Sequence, residues 1–216
     1  MNLWQDFSTN QGKIIHKWPH YFPIYERHFS RWRNATMTFI EIGVATGGSL
    51  QMWQRYFGPM ATIVGLDLNP ECQQHQGSNV HVRIGDQNDP AFLQSVLDEF
   101  GTPDIVLDDG SHIMAHVQST FDFLYPKITK NGLYAIEDLH TAYWPEFGGG
   151  INEPGTFINT SKNLIDKLNA NHTRGAIQED FFSKNTFGIS YYDSVIIFER
   201  GTSPLKTPIK TGHSLS

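Results

Sequence analysis

The 216-residue chain has a single cysteine, Cys72, and no run approaching the ~18 apolar residues that a membrane-spanning helix needs. One thiol closes no intrachain disulfide and builds no cysteine zinc cluster, which fits a reducing compartment. Basic residues are scarce too: 16 Lys and Arg stand against 22 Asp and Glu, a formal net charge of -6. That balance removes the usual attraction to a phosphate backbone or an anionic bilayer, so neither nucleic acid nor a membrane is expected as a partner. The opening residues, MNLWQDFSTNQ, have neither the basic start nor the apolar centre of a secretion signal, and a cytoplasmic protein is expected. What the chain does have is apolar material, 39% hydrophobic and 13% aromatic, enough for one globular unit with a full core.

Apolar runs of strand length recur between helical patterns, at Thr38 to Ile42, Thr62 to Asp67, Val80 to Ile84, Asp104 to Leu107 and Gly132 to Ile136. Continuous Val, Ile, Leu and Phe runs of this kind indicate parallel strands covered on both faces, an α/β layout. Helical crossovers are predicted over Gly48 to Tyr56, over Pro90 to Phe100 behind an Asp89 cap, and over His112 to Ile128. Phe187 to Tyr192 and Ser194 to Arg200 meet too closely for a crossover and should form an antiparallel hairpin. The organisation expected is a partly helical, aromatic-rich lead-in over 1–35, a main domain over 36–201 and a frayed tail over 202–216. Thr141 to Phe157, rich in glycine and proline, reads as a long loop without regular structure.

The segment FIEIGVATGGSL, Phe39 to Leu50, runs from a strand through glycines into a helix. Gly43, Gly47 and Gly48 permit a tight turn that leaves backbone amides free to meet a polar ligand. The spacing Gly43-x-x-x-Gly47-Gly48 misses the dinucleotide fingerprint, which argues against NAD or FAD. The second strand ends at Asp67, where a carboxylate can take both hydroxyls of a ribose, and the third ends near Asp86 and Gln87, where an adenine amino group finds an acceptor. A glycine turn and two acids on consecutive strand ends point to an adenosine-bearing cofactor.

The richest stretches are DIVLDDGSHIMAH, Asp104 to His116, and GLYAIEDLHTAYWPEFGG, Gly132 to Gly149. If the fourth and fifth strands are parallel neighbours roughly 5 Å apart, Asp109 converges with Glu137 and Asp138. Three clustered carboxylates call for a cation. All-oxygen donors favour a hard ion, Mg²⁺ first, with Mn²⁺ and Ca²⁺ as alternatives. Such an ion lowers the pKa of a substrate hydroxyl, and His112, at the start of the next helix, is the candidate general base, with His116 next in line.

Together, Glu41-x-Gly43-x-x-x-Gly47-Gly48, Asp67, Asp86 and the terminal hairpin resemble the class I S-adenosylmethionine-dependent methyltransferases. That resemblance implies a Rossmann-like, seven-stranded, mostly parallel sheet with a C-terminal antiparallel hairpin and helices on both faces. It implies donor contacts from the group Glu41, Gly43, Gly47, Ser49, Asp67, Asp86, Gln87 and Asp108. Asp109-Gly110-Ser111-His112, Glu137-Asp138 and Thr141-Ala142-Tyr143-Trp144-Pro145 further resemble the metal-dependent sugar O-methyltransferases of macrolide biosynthesis, as do HYFPIYERHF and YYDSVIIFERG. By that resemblance Asp109, Glu137 and Asp138 ligate Mg²⁺, His112 is the base, and the acceptor is a hydroxylated small molecule, a glycoside. A catechol-type O-methyltransferase and a non-catalytic cofactor-binding subunit stay open as alternatives, as does assembly into a homo-oligomer.

Overall fold

The computed structural model describes residues 2–202 and 206–212. Part of the expected tail, 203–205 and 213–216, lies outside the described residues. Seven strands, β1 (Met37–Ile42), β2 (Ala61–Asp67), β3 (Val80–Ile84), β4 (Ile105–Asp108), β5 (Leu133–Ile136), β6 (Thr186–Tyr192) and β7 (Val195–Arg200), form one sheet in the order β3-β2-β1-β4-β5-β7-β6. The first five are parallel, while β7 runs antiparallel to both β5 and β6, which is the reversal the hairpin pattern predicts.

Because successive residues of a strand point to opposite faces, each strand feeds two cores. Phe39, Ile63, Ile105, Leu107, Leu133 and Ile197 look to one side, where α1 (Leu3–Ser8), α2 (Phe22–Phe29) and α3 (Gly48–Phe57) pack. Ile40, Val64, Val106, Tyr134, Ile136 and Phe198 look to the other, against α4 (Pro90–Phe100), α5 (Met114–Leu124), α6 (Phe157–Leu168) and α7 (Phe181–Asn185). Trp53 on α3 is fully buried between Tyr25 and Phe39, with ring centroids 5.2 Å from each, and its Nε1 donates to Glu41 at 3.1 Å.

Two expectations change. The predicted helix over His112 to Ile128 begins only at Met114 and ends at Leu124, followed by a 3₁₀ turn at Tyr125–Lys127. His112 has φ +58, a left-handed conformation that no α-helix continues, so it sits in the turn before the helix. The loop after β5 holds 3₁₀ turns at Leu139–Tyr143 and Pro145–Phe147, tied by the Gly149 amide to the Trp144 carbonyl. Leu3, Tyr21, Phe22, Tyr25 and Phe29 of the lead-in are buried in the same core as the sheet. Among the described residues no helix is long and apolar enough to cross a membrane.

Candidate active site

At the carboxyl ends of the parallel strands lie two cavities of about 310 and 330 Å³ that share Gly43, Asp67 and Gly110 and so form one continuous cleft. Gly43 turns the chain out of β1 at φ +93, and a Cβ there would lie 2.1 Å from the Asp109 carbonyl oxygen. Only glycine allows the β1 and β4 ends to close this tightly. Gly47, at φ +73, precedes α3 and faces the His75 ring instead of the cleft.

Asp67 stands at the junction of the two cavities. Its Oδ2 accepts the Val44 amide at 2.8 Å and the Ala45 amide at 3.0 Å, and its Oδ1 accepts the Asn69 amide at 2.8 Å. Partial burial pushes its pKa up, but those three amides outweigh it and hold the carboxyl below its usual range. Thr46 and Ser49 line the first cavity beside it, and Leu68, Asp86, Gln87, Ile113 and His116 line the second.

Several residues expected to meet the donor have hydrogen-bond partners within the protein. Glu41 is fully buried; its oxygens accept Ser49 Oγ at 2.7 Å and Trp53 Nε1 at 3.1 Å, and burial raises its pKa. Asp108 is buried on the opposite face of the sheet, accepting the Tyr134 hydroxyl at 3.0 Å and Gln87 Nε2 at 3.3 Å, and burial pushes its pKa up to about 7. The pleat explains this, because Asp108 shares a face with Val106 whereas Asp109 shares one with Leu107. Gln87 lines the cleft but spends its amide internally: Oε1 accepts the Ser111 amide at 2.7 Å and Nε2 donates to Asp108 and to Thr120 Oγ1. Its side chain braces the turn that carries Ser111 and His112. Asp86 is exposed, accepting the Asn88 amide at 2.8 Å.

At the other end of the first cavity Asp109, His112 and Asp138 converge, each offering a ligand atom within 4.8 Å of the others. His112 Nε2 stands 3.9 Å from Asp109 Oδ1 and 3.8 Å from Asp138 Oδ2, too far for hydrogen bonds and wide enough for an ion between them. Carboxylates facing one space fit a hard divalent cation such as Mg²⁺ or Mn²⁺, and the His112 imidazole stands beside that space. Asp138 reaches this position through a left-handed backbone at φ +54, and its Oδ1 is fixed by the Tyr21 hydroxyl at 2.6 Å.

Glu137, expected as the third metal ligand, does not join that group. Its neighbour in the turn faces the cleft, while Glu137 follows Ala135 onto the face covered by the lead-in. There its Oε1 accepts the Tyr25 hydroxyl and its Oε2 accepts Lys17 Nζ at 2.7 Å. Burial pushes the Glu137 pKa up, the Lys17 charge opposing it. Lys17 and Tyr21 are the site residues that sequence reasoning missed. Lys17 Nζ also reaches Asp109 Oδ2 at 2.5 Å and Glu41 Oε1 at 3.5 Å. Burial alone would lower its pKa, but the surrounding acids raise it well above its usual value, so it is an ammonium. The one signal in the sequence was the excess of acids over nearby bases at the strand ends.

Sheet order 3-2-1-4-5-7-6, a glycine turn after β1 and a cleft at the parallel strand tips define a class I methyltransferase architecture. The model of the FtsJ-like methyltransferase family matches residues 25–131 of the chain. Mycinamicin VI 2''-O-methyltransferase of Micromonospora griseorubida is 38% identical over 200 residues, 84% of this chain and 48% of that protein. A tetracenomycin rhamnosyl 2'-O-methyltransferase of Streptomyces olivaceus is 42% identical over 156 residues, 68% of this chain and 41% of its own length. The solved structure of the MycE methyltransferase from the mycinamycin pathway, in complex with Mg and SAH, superposes with a TM-score of 0.80 at 36% identity, covering 93% of this chain and 54% of that one. The chain thus spans about half the length of the curated relatives it matches.

Proposed function

We propose that the chain is the catalytic domain of a divalent-metal-dependent O-methyltransferase that moves a methyl group from S-adenosylmethionine to a sugar hydroxyl of a glycosylated natural product. The observation that carries this reading is the convergence of Asp109, His112 and Asp138 at one end of a cleft whose wall is the glycine turn and Asp67. The relatives support it: they are named as sugar O-methyltransferases, and one solved relative holds Mg, SAH and mycinamycin VI together.

In this reading the backbone amides of the Thr46 to Ser49 turn meet the donor's carboxylate at the start of α3. Asp67, kept ionised by its three amides, accepts from the ribose hydroxyls, and the Leu68, Asp86 and Ile113 cavity receives the adenine. Asp109 and Asp138 hold the divalent cation, which when bound supplies Lewis-acid polarisation of the acceptor hydroxyl. His112 Nε2 takes the hydroxyl proton as the oxygen attacks the methyl carbon and the carbon–sulfur bond breaks, releasing S-adenosylhomocysteine. Placing the two reactants in line within one closed cleft lowers the entropic part of the barrier. Half-exposed Tyr143 and Trp144, on the loop that also brings Phe147 to 6.3 Å from the His112 ring, border the acceptor side. A cytoplasmic setting, in which the lone buried thiol of Cys72 stays reduced, belongs to the same reading.

The test is methyl transfer from S-adenosylmethionine to a panel of rhamnosyl and deoxyhexosyl glycosides and catechols, with Mg²⁺ and with a chelator. Metal-dependent methylation of a glycoside is expected. Methylation of catechols alone would favour the catechol-type reading, and donor binding without turnover on any acceptor would favour a non-catalytic subunit.

A further inference from the structure

The turn from Gly110 to Ile113, which carries His112, is not held by its own backbone. Among the described residues, none of its four amides donates to a main-chain carbonyl. Side chains take them instead: Gly110 donates to the Asp108 carboxyl, Ser111 to Gln87 Oε1 at 2.7 Å and Ile113 to Ser111 Oγ at 3.4 Å. His112 stands between them at φ +58, a strained conformation that a non-glycine residue keeps only where its surroundings impose it. Of the three acceptors, only Gln87 comes from a distant part of the chain. It follows β3, which β2 and β1 separate from β4 in the sheet. Gln87 is 8% exposed, and its Nε2 is anchored on Asp108 Oδ1 at 3.3 Å and Thr120 Oγ1 at 3.1 Å. Asp108 and Thr120 are buried and line neither cavity, so this anchor belongs to the core and not to the walls that meet ligands. A Cβ on Gly110 would lie 2.2 Å from Gln87 Oε1, which seats the turn directly on that amide.

We propose that Gln87 is the positioning residue of the general base: its carboxamide, anchored in the core by Asp108 and Thr120, holds the Ser111 amide and so keeps His112 in the left-handed turn that brings its imidazole to the cleft. The inference rests on the reading of His112 as the base and says how that base is held. A carboxamide suits the task because it carries an acceptor and a donor on one plane, one for the turn and the other for the anchor. A methionine of similar length offers neither strongly and leaves the Ser111 amide without its acceptor. The turn then relaxes at its strained point, which is His112. A shift of about 1 Å at a catalytic group can cost on the order of 10²-fold in rate. Gln87 also lines the second cavity, together with Gly85 and Asp86. One residue thus serves both the adenine seat and the turn that bears the base.

The experiment follows hydrogen exchange of the Ser111 amide by NMR, S-adenosylmethionine affinity by calorimetry and turnover on the best acceptor of the panel above, with thermal unfolding alongside. Gln87→Met should fold and bind S-adenosylmethionine within a few-fold of the unaltered chain. Its Ser111 amide should exchange about tenfold or more faster, and kcat should fall roughly 10- to 100-fold with the acceptor KM little changed. In a His112→Ala background the same substitution should cost less than about twofold further, since the group it positions is gone. Equal losses in both backgrounds would make Gln87 purely structural, and unchanged exchange at Ser111 would mean that the amide does not depend on it; either overturns the proposal. Gln87→Asn, one methylene too short to reach the Ser111 amide, is read by the same criteria if the methionine variant does not fold. Should neither fold, the unaltered chain decides: its Ser111 amide should be protected, and exchange at the rate of an open loop would overturn the assignment. Full turnover in His112→Ala alone would be a different result, removing the base reading itself while exchange at Ser111 still reports the tie.

Discussion

The two ends of the cleft keep their carboxylates in opposite ways. At the donor end Asp67 is partly open and held ionised by three backbone amides, the farthest of them 23 residues away in sequence. At the acid end Glu41 and Glu137 are buried and their pKa values are raised, and the compensating ammonium of Lys17 comes from outside the sheet, 120 residues from Glu137. Amides supplied by a local turn stabilise an anion without introducing another charge to be solvated. An ammonium supplied from afar requires two ions to be desolvated together, and a buried pair of that kind gains little net stability. The donor end is thus a product of the strand-turn-helix unit itself, whereas the acid end exists only once the lead-in has docked.

The comparison can be broken most forcefully at Asp109. Asp109→Ala should lower methyl-transfer turnover by about 10³-fold, a loss of several kcal/mol of transition-state stabilisation, while S-adenosylmethionine affinity by calorimetry stays within a few-fold. His112→Ala should reduce turnover about 10²-fold or more and leave Mn²⁺ affinity nearly intact; a matching loss of Mn²⁺ binding would make His112 a ligand and not the base. Asp67→Ala is the mirror experiment, weakening donor binding by roughly ten- to a hundredfold, the worth of a charged hydrogen-bonding group, without touching Mn²⁺ affinity.

Effects on stability alone sharpen the electrostatic contrast. Asp108, with its pKa pushed up to about 7 by burial, should stay protonated in the folded protein where the unfolded chain, near 3.9, has already ionised. Its contribution to stability is therefore full below about pH 4 and is lost as pH rises to about 7, on the order of 4 kcal/mol. Asp108→Asn should flatten that slope in urea unfolding followed from pH 4 to 8. Asp67 has the opposite sign: its contribution is present above about pH 4 and is lost on acidification, so Asp67→Asn should flatten only the acid limb.

The same contrast explains what could be read from the residues alone. The seven strands, their order of direction and the closing hairpin follow from apolar runs and connection lengths, and the structure shows them within a residue or so of those bounds. Gly43 and Asp67 announce themselves because a strand end followed by a turn is a local pattern. Asp109, His112 and Asp138, singled out from two separate stretches, stand together in the structure. Glu137 and Asp138 are adjacent in sequence, yet adjacent residues at a strand end face opposite ways. The same parity places Asp108 in the far core. Lys17 had no local signature at all, since nothing in its spacing shows which acids it meets after docking. Helix α6 also escaped, because its apolar positions follow a glycine-rich loop that drew the reading toward irregular structure.

The most direct measurement is anomalous diffraction from crystals of the chain grown with Mn²⁺ and S-adenosylhomocysteine. The account predicts one Mn²⁺ peak beside Asp109 and Asp138 in the cavity that also holds the sulfur. A cleft that binds the nucleoside but no ion beside Asp109 and Asp138 would contradict it.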